Sequence, residues 1–237
     1  MLQLVCLPGL LCDAGIYAPV LADLAMPAQS LDLPALDSFE ALVEQITAQL
    51  PEQAVLVGMS MGSYLALAVA RRAPERVKGL VLIGTNAAAD TPRGAALRGK
   101  VAAWAAREGI DALAASIADG MLSTTRRDDA DLRGAILRMA TGQGLDTFTR
   151  HQTALAARPD QTAALADITC PVLVLTGAED TVTPPDAGRA VAEGVPQGQF
   201  ILLDGIGHMP VLERPDLVAQ HIRAFVTTRL PQEERAQ

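Results

Sequence analysis

Ser60 stands in Gly58-Met59-Ser60-Met61-Gly62, between the apolar run Ala54-Val55-Leu56-Val57 and a small-residue helical pattern from Met61 to Ala73. The run has the length of a buried strand. G-x-S-x-G at a strand-to-helix junction is the spacing of a nucleophile elbow, in which a very tight turn holds the serine in a strained backbone. Its neighbours two positions away must then lack side chains. Such a turn aims the hydroxyl out of the sheet and sets the first helical N–H groups beside it. The amide of Met61 can therefore stabilise an oxyanion. Gly62, Ala66 and Ala70 give the helix a small-residue side for packing on a sheet, Arg71 and Arg72 suit its last turn, and Pro74 ends it.

A serine hydroxyl is a poor nucleophile unless a base takes its proton and a third group orients that base. In open parallel sheets such groups gather at the carboxyl ends of the strands. Val172 to Thr176 leads into Gly177-Ala178-Glu179-Asp180, and Phe200 to Leu203 leads into Asp204-Gly205-Ile206-Gly207-His208. The order Ser60, Asp180, His208 is the order this elbow normally has. Glu179 and Asp204 compete for the role of the acid; Glu179 reads as a solvated loop carboxylate and Asp204 lies directly at a strand end. The loop after the earlier strand, Ile83-Gly84-Thr85-Asn86, has no carboxylate until Asp90. Of the other two histidines, His151 falls in a helical stretch and His221 in the closing helix. Cys12 reads as a small buried hydrophobe rather than a reactive thiol.

The elements that must position these groups alternate. Leu2 to Leu7 reads as a strand, Ile16 to Leu24 as a helix, and Ser30-Leu31-Asp32 as a short edge strand. Ser38 is placed to cap a helix ending near Leu50, with Phe39, Leu42, Val43 and Ile46 on its apolar face. After the elbow, Val77 to Ile83 is a further strand. From Thr91 to Leu165 no strand pattern is present, only Ala/Leu/Arg-rich helical stretches punctuated by glycine. The alternation resumes with a strand at Val172, a helix over Asp186 to Ala192, a strand at Phe200 and a closing helix over Pro215 to Thr228. The charged tail from Pro231 is expected to fray. This cadence predicts a parallel sheet covered on both faces, interrupted by a helical lid. The expected division is 1–90 core, 91–165 lid and 166–237 core.

The 237 residues are half hydrophobic, enough for one sizeable core. A net charge of -8 argues against nucleic acid as a partner. Three cysteines without C-x-x-C spacing fit a reduced, cytoplasmic chain with no metal site. The apolar start lacks a basic leader pattern, and no run reaches transmembrane length, so no membrane partner is expected.

Three segments carry a resemblance: the Gly-x-Ser-x-Gly elbow, the Gly-x-x-Asp-x-x-x-Pro loop at 177–184, and Gly207-His208 followed by Glu213-Arg214-Pro215. The chain resembles the α/β-hydrolase-fold superfamily over nearly its whole length, and is similar within it to lidded carboxylesterases such as the pimeloyl-carrier-protein methyl ester esterases. The resemblance implies a mostly parallel sheet of about six strands flanked by helices. It implies Ser60 as nucleophile, His208 as base, Asp180 as orienting acid, and the amides of Leu10 and Met61 as oxyanion donors. The first loop departs from the commoner His-Gly start by having Pro8-Gly9; a backbone donor survives that change.

The expectation is a serine hydrolase without cofactor or metal, cleaving a small or medium carboxylic ester or thioester through an acyl-enzyme. Two rivals use the same frame: carbon–carbon cleavage or elimination by the same triad, and a non-catalytic ligand-binding protein. The lid stretch Thr91 to Asp160 carries ten Arg/Lys against eight Asp/Glu in an otherwise acidic chain. Two readings fit this: a mildly basic lid resting on an acidic body, or Arg150, Arg158 or another lid arginine meeting a carboxylate or phosphate on the substrate. Trp104, Met121, Leu122, Met139 and Phe148 are the candidate apolar walls, with Leu10 and Val211 from the body loops. Met and Trp at helical spacing also serve as plain core.

Overall fold

The computed structural model describes residues 2–24 and 26–230; the tail from Pro231 lies outside them. The chain runs β1 (Gln3–Leu7), a 3-10 turn (Ala14–Tyr17), α1 (Ala18–Ala22), β2 (Ala28–Ser30), α2 (Phe39–Ala48), β3 (Ala54–Met59), α3 (Met61–Arg72) and β4 (Val77–Ile83). Three insert helices follow: α4 (Pro92–Glu108), α5 (Ile110–Met121) and α6 (Ala130–Ala156). Then come β5 (Val172–Gly177), α7 (Pro185–Gly194), β6 (Gly198–Leu203), α8 (Pro210–Glu213) and α9 (Pro215–Arg229). The single helix expected over Ile16 to Leu24 is instead a 3-10 turn capped by Asp13, whose side chain accepts from the Gly15 amide, followed by a short α1. Ser38 caps α2 as its type predicts, accepting from the Ala41 amide at 3.2 Å.

Six strands lie in the order β2-β1-β3-β4-β5-β6, and every pairing is parallel. Side chains alternate between faces along each strand. Leu7, Leu56, Leu80, Leu82, Val172 and Val174 pack with α2, α3 and α7 on one face. Leu4, Cys6, Val55, Val57, Val81, Leu173 and Leu175 pack with α1 and α9 on the other. With β1, β3, β4 and β5 all but fully buried, these strands read as apolar runs rather than alternating ones. Each fully buried Leu, Ile or Val contributes about 1.5–3 kcal/mol.

The chain leaves β1 toward β2 and returns to β3 on the other side, so the strand order reverses between β1 and β3. The loops leaving these two neighbours part there and open a crevice, the usual place for a ligand in such sheets. Tyr17 closes the floor nearby: it is fully buried, and its hydroxyl reaches the carbonyls of Leu7 and Val57 at 3.0 and 3.1 Å.

The insert enters after β4 and leaves before β5. It has a small core of its own in Ala105, Leu113, Ala114, Ala140 and Phe148, joined by Leu11 of the β1 loop. Its longest helix, α6, breaks at Gly144, whose φ of 77° no L side chain adopts easily. No helix among the described residues is long and apolar enough to cross a membrane.

Two glycines should respond to alanine in opposite directions. A Cβ on Gly62 would lie 2.1 Å from the Leu7 carbonyl oxygen, so Gly62→Ala should lower unfolding stability by about 3 kcal/mol or more. Gly99, in α4, would meet nothing within 4 Å, and Gly99→Ala should raise stability by about 0.5–1 kcal/mol. Urea unfolding of both variants checks the pair.

Candidate active site

Ser60 has φ 51° and ψ -119°, a conformation a non-glycine residue adopts only when its surroundings impose it. Those surroundings are visible. The Ser60 amide donates to the Ile83 carbonyl at 2.8 Å, while the Ser63 amide and hydroxyl both return to the Ser60 carbonyl, at 2.8 and 2.6 Å. A Cβ on Gly58 would fall 2.5 Å from the Gly62 carbonyl oxygen, so both glycines of the motif are enforced by contact. The Tyr64 amide, one turn into α3, donates to the same Ser60 carbonyl at 3.3 Å.

Asp180 follows β5 and is 4% exposed. Its Oδ1 accepts the amides of Val182 and Thr183 at 2.9 and 2.8 Å, and its Oδ2 accepts the Thr183 hydroxyl at 2.8 Å. His208 Nδ1 lies 2.8 Å from the same Oδ2. A carboxylate can only accept, so Nδ1 carries the proton and Nε2 is left as the basic nitrogen. Burial pushes the Asp180 carboxyl up, but His208 and the Thr183 donors outweigh it and hold it below the ordinary carboxylate range. Neither rival acid is at the imidazole. Glu179 is half-buried and turned toward Thr124, whose amide it accepts at 2.7 Å, and Asp204 is exposed at the end of β6.

Gly84, with φ 57°, lets this pair sit close to β4. A Cβ there would stand 3.1 Å from His208 Cε1 and 3.2 Å from Asp180 Oδ2. The loop after β1 turns back on itself through the Cys12 amide, which donates to the Gly9 carbonyl at 3.1 Å, with Leu11 at φ 61°. Among the described residues neither the Leu10 nor the Met61 amide is recorded donating to a protein acceptor. Both residues line the cavity that holds Ser60.

That cavity measures about 210 Å³ and is also lined by His208, Thr183, Val182 and Met209. Of the expected walls, Met121 and Met139 face it, with Ile117, Ile136 and Leu155 from the same helices. Leu10 lines it as well, whereas Trp104, Leu122, Phe148 and Val211 do not. Phe148 is buried in the insert's own core with Trp104 packed against it, because three short helices must first bury their faces on one another. Leu122 and Val211 belong to the core around α9. Arg150 is exposed and paired with Asp146 at 2.8 Å. Arg158 does line the cavity, and so do Arg98, Asp90 and Tyr64, which residue type and helical spacing alone did not single out. Cys12 also lines it, but burial pushes its thiol up to about 12, so it stays protonated. Among the described residues no cluster of three or more His, Cys, Asp or Glu is placed to hold a metal.

Glu213 is the other group that spacing did not reveal as functional. It is 3% exposed, and its two oxygens accept the amides of Gly207 at 2.9 Å and Ser123 at 3.0 Å. The His208 amide donates to the Met121 carbonyl at 2.9 Å. One buried carboxylate thus ties the histidine loop to the end of α5. Glu213→Ala would orphan two buried N–H groups and should cost about 2–4 kcal/mol in urea unfolding. Glu213→Gln, which keeps one acceptor oxygen, should cost clearly less.

A family model described as "Alpha/beta hydrolase family" matches residues 4–221. A pimeloyl-[acyl-carrier protein] methyl ester esterase of Aromatoleum aromaticum is 32% identical over 199 residues, 76% of this chain and 76% of its own. A thermophilic esterase from Thermogutta terrifontis, in a malate-bound structure, is similar with TM-score 0.89 at 27% identity, covering 98% of this chain and 91% of its own. An enol-lactonase from Burkholderia xenovorans shares the fold with TM-score 0.85 at 22% identity, over 95% of this chain and 91% of its own. The matched span reaches from β1 into α9, across every segment that supplies the site, and the chain is an enzyme of the alpha/beta hydrolase family.

Proposed function

We propose that this hydrolase cleaves a small or medium carboxylic ester or thioester through an acyl-enzyme on Ser60. The observation that carries the reading is a strained, turn-borne serine opening on the same cavity as a histidine whose Nδ1 is held 2.8 Å from a buried carboxylate. The Ser60 hydroxyl turns toward His208 Nε2, gives up its proton there, and its oxygen attacks the scissile carbonyl. The developing oxyanion is met by the Leu10 and Met61 amides. Asp180 keeps the tautomer and stabilises the imidazolium. The carbonyl carbon then loses its alkoxide or thiolate, which takes the proton from His208. Water, deprotonated by the same Nε2, attacks the acyl-serine; the acid leaves and Ser60 regains its hydrogen.

The insert acts in this reading as a lid. Ile117, Met121, Ile136 and Met139 supply apolar cover, which strengthens every charge interaction beneath it. The three cysteines are free thiols, which supports a reducing compartment, and we place the enzyme in the cytoplasm.

A fluorophosphonate probe should label the wild type at one serine, and Ser60→Ala should abolish labelling and lower ester turnover on the order of a thousandfold or more. Labelling that survives in Ser60→Ala would remove the elbow from the mechanism. Asp180→Asn should depress kcat by a similar order, because an amide favours the wrong imidazole tautomer, whereas Glu179→Gln should change it less than about threefold. Steady-state kinetics on p-nitrophenyl acetate separates the two.

A further inference from the structure

The cavity has a second polar pole that the acyl transfer does not use. Arg158, two residues past α6, is 6% exposed and donates to Asp90 Oδ1 at 2.5 Å, to the Leu155 carbonyl at 3.2 Å and to the Ala88 carbonyl at 3.0 Å. Its guanidinium carbon stands 4.8 Å from the centre of the Tyr64 ring. Arg98, on α4, donates to both oxygens of Asp90 and, at 2.9 Å, to Gln152 Oε1. Asp90, Arg98, Arg158 and Tyr64 all line the cavity that contains Ser60.

The charges at this pole do not cancel. Two guanidinium groups share one carboxylate. A further acid, Asp160, feels the charge of Arg158 but is exposed and spends its oxygens on the amides of Ala89 and Thr162. Each guanidinium has five N–H donors, and each uses three on the partners named above. Two donors on each arginine therefore have no partner among the described residues. A clamp joining the two ends of the insert would be complete with one arginine for the one aspartate. A surplus of positive charge, buried at Arg158 and half-buried at Arg98, with unfilled, fork-shaped donors is the chemistry that recognises a carboxylate.

We infer that Arg98 and Arg158 form a subsite for a carboxylate borne by the substrate, so that the preferred ester is a half-ester of a short dicarboxylic acid. The inference rests on the Ser60 acyl-transfer reading. Tyr64 sets the spacing, since its amide donates to the Ser60 carbonyl at 3.3 Å while its ring lies under Arg158. The free carboxylate thus belongs a few carbon atoms from the scissile carbonyl. Asp90 tempers the pole, keeping the arginines in place without cancelling both.

The test is calorimetric titration of the Ser60→Ala protein at low salt with monomethyl glutarate and, separately, dimethyl glutarate. The monoanion should bind about tenfold or more tightly than the neutral diester. Adding Arg98→Gln should erase about tenfold of that preference, whereas adding Asp90→Asn should enlarge it. Both changes break the same ion pairs, so a purely structural clamp would shift the preference the same way in each. Equal affinities for the two esters, or parallel shifts in the two variants, would overturn the subsite. So would an equal loss in Arg150→Gln, which removes only a surface charge. If Arg98→Gln does not fold, the comparison of the two esters in Ser60→Ala still decides. Turnover of both esters by the wild type is followed separately by pH-stat: failure to hydrolyse either counts against acyl transfer, while the binding ratio judges the subsite.

Discussion

The contact on which the site depends is the approach of α3 to the end of β1, where Gly62 lies against the Leu7 and Pro8 carbonyls with no room for a Cβ. That approach has two consequences at once. It forces the turn between β3 and α3 into the strained conformation that lifts Ser60 out of the sheet, and it brings the loop after β1 alongside that serine. The strand order supplies the other half of the constraint. Because β1 and β3 are neighbours whose chains depart in opposite directions, the loop bearing Leu10 and the turn bearing Ser60 meet at the reversal point. The strain at Ser60 costs about 1–3 kcal/mol and persists because buried packing on both faces of the sheet over-determines the turn.

Three carboxylates, two buried and Asp90 half-buried, organise the rest, each in a different way. Asp180 spends its oxygens on two amides, a hydroxyl and one imidazole, so the histidine it orients has a single tautomer. Glu213 satisfies two backbone amides and thereby joins the histidine loop to the insert. Asp90 is shared by two arginines at the insert's base. Burying a charge is costly unless it is fully partnered, and all three acids meet that condition through loops that reach across the crevice. The insert is therefore attached to the sheet by polar contacts at its base and near the end of α5, while its apolar side faces the cavity.

What the sequence disclosed and what it withheld differ by physical cause. Ser60, Asp180 and His208 were readable because their loops combine strand ends with Gly and Pro at spacings that few other structures require. The six strands were readable as apolar runs, because parallel strands with both faces covered have no polar alternation to lose. The walls of the cavity were readable only in part, at Met121 and Met139. A helix in the insert has apolar residues on more than one side, and the sequence does not say which side meets another helix and which meets the crevice; Phe148 and Met139 lie on the same helix and divide between those fates. Arg98 and Asp90 were hidden for a related reason, since their meeting with Arg158 spans about seventy residues of chain. Thr183 lay within the quoted acid loop, but its hydroxyl on Asp180 is a product of the loop's curvature rather than of any residue pattern.

Within this frame, the proposed acyl transfer passes through Ser60. The most direct measurement is rapid acid quenching of the wild type with p-nitrophenyl butyrate, followed by mass spectrometry of the protein and of its peptides. The expected result is a burst of p-nitrophenol approaching one equivalent of enzyme, and a butyryl adduct confined to the peptide carrying Ser60. Turnover at the same rate with no adduct at Ser60, or with the acyl group on another residue, would contradict it.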